Sequence, residues 1–169
     1  MKCRITTLLF VLLGLVSKAQ NLKTVTVTMQ PKQECYLSIA NAKVYNSSTA
    51  LSVKNVLDFG MFLFNENVLE WYNLKPNNEK VPSKLTGTQT KINAISFDRD
   101  QFDKCKTSED LKRMTSYITT NSFSHYAVIA NSADYYQRCF IFEKEDGKRG
   151  LLFMSKENDT DWKEEVRFE

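Results

Sequence analysis

The stretch Cys139-Phe140-Ile141-Phe142-Glu143-Lys144-Glu145-Asp146-Gly147-Lys148-Arg149-Gly150-Leu151-Leu152-Phe153-Met154 decides the fold. Two apolar runs flank a polar centre that holds Asp146-Gly147. Asp-Gly between apolar runs is a strong hairpin signal, because a type I′ turn needs positive φ at both central residues. A two-residue loop predicts the pairs Glu145–Lys148, Phe142–Leu151, Ile141–Leu152 and Phe140–Phe153. Opposite charges and facing aromatics both favour such cross-strand pairs.

Working outward, other segments read as strands. Leu22 to Met29 alternates, with Val25, Val27 and Met29 on one face and Thr24, Thr26 and Thr28 on the other, the pattern of a half-buried strand. Cys35 to Tyr45 reads as one extended segment, followed by an Asn46-Ser47-Ser48-Thr49 loop. Val56 to Phe64 is apolar on both faces apart from Asp58, as a strand covered on both sides would be. Asn65-Glu66-Asn67 then suits a hairpin loop leading into Val68 to Leu74. Pro76 to Ser83 is a polar loop, Thr88 to Phe97 a further strand, and Val166 to Phe168 a last edge strand.

Helical signals are confined to residues 98–119. Asp100 to Lys106 suits a short helix with Phe102 and Cys105 on one side. Ser108 suits an N-cap, Glu109 and Asp110 a first turn, and Leu111, Met114 and Ile118 form an apolar stripe. The expected fold class is α+β: a mainly antiparallel sheet of six to eight strands, open or curled into a barrel, with one helical stretch packed on it.

The chain has 169 residues, 5 Gly and 3 Pro, a composition that excludes collagen-like and low-complexity classes. Residues 1–19 have the order of a signal peptide. Lys2 and Arg4 precede the apolar run Leu8 to Val16, and Ser17-Lys18-Ala19 supplies small residues at −3 and −1. The run is shorter than the ~20 residues that span a bilayer. Cleavage is expected between Ala19 and Gln20, leaving residues 20–169 as a single domain in the periplasm or outside the cell, with no membrane span.

Losing Lys2, Arg4 and Lys18 leaves 20 basic and 20 acidic residues. Without a net positive charge the electrostatic footprint of nucleic-acid binding is missing, and no nucleic-acid partner is expected. Cys35, Cys105 and Cys139 remain after cleavage. An oxidising compartment permits one bridge among three cysteines, and Cys35–Cys139 is the expected pair, since both fall in apolar strands.

The run Ser17 to Gln20 resembles the end of Bacteroidota export signals. Ala42-Lys43-Val44-Tyr45, Asp58-Phe59 at the head of an apolar strand, and Phe140-Ile141-Phe142 with Asp146-Gly147-Lys148-Arg149-Gly150-Leu151 resemble a loose class of small secreted proteins of unknown function from that phylum. The resemblance implies export and an α+β domain, and it carries over no catalytic residue.

Few patterns point to chemistry. His125 is the single histidine. It could activate the thiol of Cys139 or Cys105 as a nucleophile, or simply cap a strand while Cys139 fills the core. Asp98, Asp100 and Asp103 lack the glycine and distal glutamate of a calcium loop, and read as a solvated helix entry. The glycines of Asp146 to Gly150 lack phosphate-loop spacing. Phe59, Phe62, Phe64, Trp71 and Tyr72 crowd one hairpin, suited to a core or to a ligand cavity, and Tyr135-Tyr136 beside Arg138 suits an exposed patch. No catalytic residue, metal ligand or cofactor is assigned. The expectation is an exported, non-catalytic binding or interaction module for a small apolar ligand or an unidentified partner protein. The alternative is a small thiol-dependent hydrolase using Cys139 and His125.

Overall fold

The computed structural model describes residues 20–130 apart from 31, 54, 66–67, 76–80 and 82–84, and residues 137–169. The expected leader at residues 1–19, Glu66 and Asn67 of the expected loop, and Tyr135-Tyr136 lie outside the described residues. Among the described residues, ten strands form two five-stranded antiparallel sheets. The first sheet runs β1 (Lys23–Met29), β10 (Trp162–Phe168), β9 (Arg149–Lys156), β8 (Gln137–Glu143), β6 (Lys91–Ile95). The second runs β3 (Lys43–Asn46), β2 (Cys35–Ser38), β4 (Phe59–Asn65), β5 (Val68–Asn73), β7 (Tyr126–Ala130). The protein is thus α+β and mainly antiparallel, with more strands than expected and with two stacked sheets instead of a closed barrel.

Three apolar layers hold this stack. The inner layer joins the facing sides of both sheets. Phe59 meets Phe142 and Trp71 meets Phe140, with ring centroids 6.1 and 6.2 Å apart, amid Val27, Met29, Met61, Met154 and Val166. On the outer side of the first sheet, Cys139, Ile141, Leu151 and Phe153 pack under α2 (Arg99–Lys104) and α3 (Ser108–Met114) through Phe102, Cys105, Leu111 and Ile118. On the outer side of the second, Tyr36, Tyr45 and Tyr72 are covered by Ala50 of the single-turn helix α1 (Ser47–Ala50) and by Leu57, Leu74 and Leu85. Along one margin the sheets are stitched together. Ile92 and Ser124 exchange two backbone hydrogen bonds of 2.9 Å, and the Asn73 N–H donates to the His125 carbonyl at 2.8 Å.

The hairpin forms, one residue out of the expected register. Phe142 faces Gly150, Ile141 faces Leu151 and Phe140 faces Leu152. The loop has three residues: Gly147 N–H donates to the Lys144 carbonyl at 2.9 Å and Lys144 N–H to the Lys148 carbonyl at 2.8 Å. Only Gly147, at φ +79°, has positive φ here. This is the type I turn followed by a left-handed glycine, not the type I′ turn. A one-residue shift moves side chains to opposite faces, so Phe142 and Leu151 no longer share one. Gly150 makes the register possible. The Phe142 ring lies over it, and a Cβ at Gly150 would stand 2.3 Å from Phe142 Cζ.

Three further readings change. The expected segment Cys35–Tyr45 is a hairpin, β2 and β3, turning at Ala42 with φ 52°. The expected loop Asn46 to Thr49 instead starts α1 (Ser47–Ala50), capped by the Asn46 side chain accepting from Thr49 N–H. The expected edge strand at 166–168 is the end of β10, which lies between β1 and β9. The helices match more closely. Thr107, one residue before the expected cap, accepts from Asp110 N–H to start α3, and Asp98 accepts from Gln101 N–H to start α2.

Candidate functional site

Alternation along β10 sends Lys163, Glu165 and Arg167 toward the helices, and Trp162, Glu164 and Val166 into the inner layer. The helix-facing set is fully employed. Arg99 pairs with Glu165 through both guanidinium ends, and Lys163 Nζ lies 3.2 Å from the same carboxylate. These cations hold the Glu165 carboxyl below its ordinary range. Arg167 donates to the Phe102 and Cys105 carbonyls at the end of α2 and reaches Asp103 at 3.2 Å, with its guanidinium 4.2 Å above the Phe102 ring.

Glu164 is the opposite case. Its side chain is completely buried, and neither carboxylate oxygen has a hydrogen-bond partner. In its sheet it stands between Val27 of β1 and Met154 of β9, and along its own strand between Trp162 and Val166. Across the layer lies Cys35 of β2, whose thiol donates to the Met61 carbonyl at 3.7 Å. Burial pushes the Glu164 carboxyl well above the ordinary carboxylate range. Burial likewise drives the Cys35 thiol up to about 12, with the Glu164 charge acting in the same sense. Trp71 Nε1, in the same layer, is also buried without an acceptor. The layer therefore holds three unpaired polar atoms amid aliphatic, thioether and aromatic side chains.

Asp58 shows what this chain does with a buried carboxylate that serves structure. Only 1% exposed, it accepts from Ile39 N–H at 2.8 Å, Thr88 Oγ1 at 3.1 Å and Thr90 Oγ1 at 3.0 Å. It ties β2 to the entry of β6. A second polar group sits outside the second sheet, where the Tyr72 hydroxyl donates to Glu34 at 2.7 Å. The buried Tyr36 hydroxyl lies beside this pair without completing a hydrogen bond.

The described surface clefts are lined by groups already committed. One, of about 420 Å³, contains Glu143, Arg149 and Glu169 beside α3. There Arg149 pairs with Glu143 at 2.9 Å, donates to the Ile118 carbonyl and stacks on Phe123. Another, of about 450 Å³, contains Asp58, Thr88, Thr90 and Glu145, and Glu145 accepts from Gln89 N–H at 2.7 Å.

The cysteine and histidine candidates are not brought together. His125 is exposed. Its Nδ1 accepts from Asn73 Nδ2 at 2.9 Å, which leaves the proton on Nε2. Partial burial, then Lys75 and Lys91, lower its pKa. Cys139 lies beneath the helices on the outer side of the first sheet, and its thiol contacts the Phe140 carbonyl at 3.9 Å. Burial raises that thiol's pKa strongly and Cys105's to about 11, the opposite of an activated nucleophile. All three cysteines are free. Cys35 belongs to the inner layer and Cys139 to the outer one, with the first sheet between them, so the expected Cys35–Cys139 bridge is not formed. Gln20, at the expected cleavage point, accepts a hydrogen bond from Ser108 N–H at 2.9 Å.

Among the described residues, no group of three or more His, Cys, Asp or Glu side chains is arranged to hold a metal ion, and no helix is long and apolar enough to cross a membrane. Glu164 was legible only indirectly: in Trp162-Lys163-Glu164-Glu165-Val166-Arg167-Phe168 an acid occupies an apolar phase of a period-two pattern. Reading only residues 166–168 as strand hid that phase. No protein-family model matches the chain, and no curated protein or solved structure matches it.

Proposed function

We propose that this is an exported, non-catalytic binding module that holds a small apolar ligand in the layer between its two sheets. One observation carries the reading: the completely buried Glu164 carboxyl with both oxygens unpartnered. Leaving a buried polar group unsatisfied costs about 1–3 kcal/mol, more if it is charged. An apolar residue there would avoid that cost, and the chain saturates another deeply buried acid, Asp58, with three donors. A polar group on a ligand removes the penalty. Ligand sites are commonly apolar with a few placed polar groups; the inner layer has that composition but is closed around Glu164, so a ligand would enter it only as the two sheets part. The observation favours a small molecule over a partner protein, because Glu164 has no exposed surface to present. Export rests on the order of charge, apolar run and small residues before Gln20. The thiol hydrolase draws no support from a buried Cys139 and an exposed His125 bonded to Asn73.

The test is mass spectrometry on protein recovered from its native cell envelope, first intact and then after denaturing extraction. An apolar molecule released in near-stoichiometric amount is expected. Protein that carries none, and whose tryptophan fluorescence does not respond to any added medium-chain amphiphile, would overturn the reading. N-terminal sequencing of the same sample is expected to begin at Gln20.

A further inference from the structure

Independently of the interior ligand, we propose that β1 is a dimerisation edge. Two copies of this chain pair antiparallel through Lys23–Met29 about a two-fold axis at Thr26, which joins their first sheets into one. β1 is the outermost strand of its sheet. In an antiparallel pair alternate residues turn their N–H and C=O groups to the partner, and the residues between them turn theirs away. Glu157 N–H donates to the Asp161 carbonyl and Glu169 N–H to the Arg149 carbonyl, so the odd-numbered residues of β10 serve β9. Trp162, Glu164, Val166 and Phe168 then serve β1, where they stand opposite Met29, Val27, Val25 and Lys23. Thr24, Thr26 and Thr28 are left pointing outward. The same phase continues upstream: Leu22 N–H donates to the Lys106 carbonyl at 2.8 Å, and the Gln20 carbonyl accepts from Ser108 N–H at 2.9 Å. That cover stops at Leu22. Among the described residues no backbone bond is made on the outer side of the three threonines, and all three are exposed.

The other edges are protected or short. β6 is bonded through Ile92 to Ser124, and β3 has four residues. β1 has seven, in unbroken register with β10 and without proline, so it lacks the bulges and prolines that keep sheet edges from pairing.

A second copy is the strand this edge fits. Centred on Thr26, the pairing sets Thr24 against Thr28 of the second copy and Thr26 against its own equivalent. The outward groups of the threonines then satisfy one another completely. A shift of two residues either way sets one threonine of each copy against Leu22, already bonded to Lys106, or against Gln30, beyond the strand. The same register brings Val27 of the second copy beside Val25, the half-buried member of the inner phase. Charge also selects a like strand. β1 carries one cation, Lys23, and no acid, so a charged segment finds little to pair with. The two Lys23 side chains would lie about 20 Å apart, past the ~8 Å screening length. Residues 20–169 hold 20 basic and 20 acidic side chains, so two copies meet without net repulsion.

Sedimentation of the protein expressed from Met1, between ~10 μM and ~1 mM, is expected to show a monomer–dimer equilibrium, since one strand pair is a small interface. Thr26→Lys and Thr26→Glu each set like charges across the axis and should each dimerise about fivefold more weakly. Mixed, the two variants should form a heterodimer tighter than either homodimer. Thr26→Cys should cross-link to its equivalent under mild oxidation. Thr24→Cys should not, because its equivalents lie about 13 Å apart, beyond disulfide reach. A protein that stays monomeric throughout would overturn the proposal and leave the edge to a strand of another protein. A dimer that neither charged variant weakens, or one that cross-links equally at 24 and 26, would overturn it too, since the copies then meet elsewhere or in another register. If circular dichroism shows a charged variant unfolded, the two near-isosteric cysteine variants decide.

Discussion

At the scale of single residues, Glu164 and Gly147 make opposite demands on the chain. Glu164 is retained against a cost, and that cost has a pH signature. Burial raises its folded pKa well above the ordinary glutamate range, so the native state binds a proton that the unfolded state releases. Its contribution to stability is fully present below about pH 4.5 and is lost as pH rises toward the raised value, at up to about 1.4 kcal/mol per pH unit. The depressed carboxyls of Asp103, Asp110 and Glu165 act in the other direction and at lower pH. His125, whose pKa is lowered, makes stability rise with pH in this window, so the measurement uses a His125→Asn background: urea denaturation between pH 5 and 8 should then show stability falling with pH, and Glu164→Gln should remove most of that slope. An unchanged slope in the variant would place the titration elsewhere. Gly147 needs its left-handed backbone. No atom lies within 4 Å of where its Cβ would stand, so the cost of Gly147→Val is backbone strain alone, about 1–3 kcal/mol. A lowered denaturation midpoint at constant m-value is the expected result, with Gly147→Asn milder because asparagine tolerates this region.

At the scale of elements, the helical cap is held by charge as much as by apolar contact. α2 has six residues and α3 seven, too short to persist alone in water. Their capping boxes start them, and Phe102, Leu111 and Ile118 bury them on the sheet. Arg167 then satisfies the carbonyls at the end of α2 from below while stacking on Phe102. Arg167→Ala is expected to cost about 2–4 kcal/mol, combining charged hydrogen bonds with a partly buried cation–π contact. Arg167→Lys should recover less than half, since an ammonium lacks the planar fork that serves two carbonyls and Asp103 together. Chemical denaturation of the three proteins checks this. Equal stability of Lys and Arg at 167 would show that charge alone holds the cap.

At the scale of the whole molecule, covered layers bury the thiols of Cys35, Cys105 and Cys139. Cys35 is 5% exposed, and Cys105 and Cys139 are inaccessible. The folded residue 20–169 protein should react slowly with an alkylating reagent. In urea all three cysteines should label at once, as expected if a single cooperative unfolding exposes them. Rapid labelling of Cys139 alone in the folded protein would show that the helical cap opens locally.

The sequence alone determined the local alphabet. Alternating Val25, Val27 and Met29, the doubly apolar run at Phe59 to Phe62, and Asp146-Gly147 between apolar segments each specify strand or turn through side-chain period and allowed φ, which are properties of neighbours in the chain. The start of α3 was legible to within one residue for the same reason, because a cap is a hydrogen bond spanning three residues. Tertiary structure decided everything that depends on distant partners. The hairpin register followed from the Phe142 ring lying over Gly150, and no local rule supplies that contact. β10 became an interior strand because β1, more than a hundred residues earlier, pairs with its free edge. Cys35 and Cys139 were separated because the first sheet passes between their layers. Glu164 became the unsatisfied carboxyl of the inner layer only once the second sheet closed over it, since a charge pattern records which face a residue occupies but not whether anything on the opposite face can answer it.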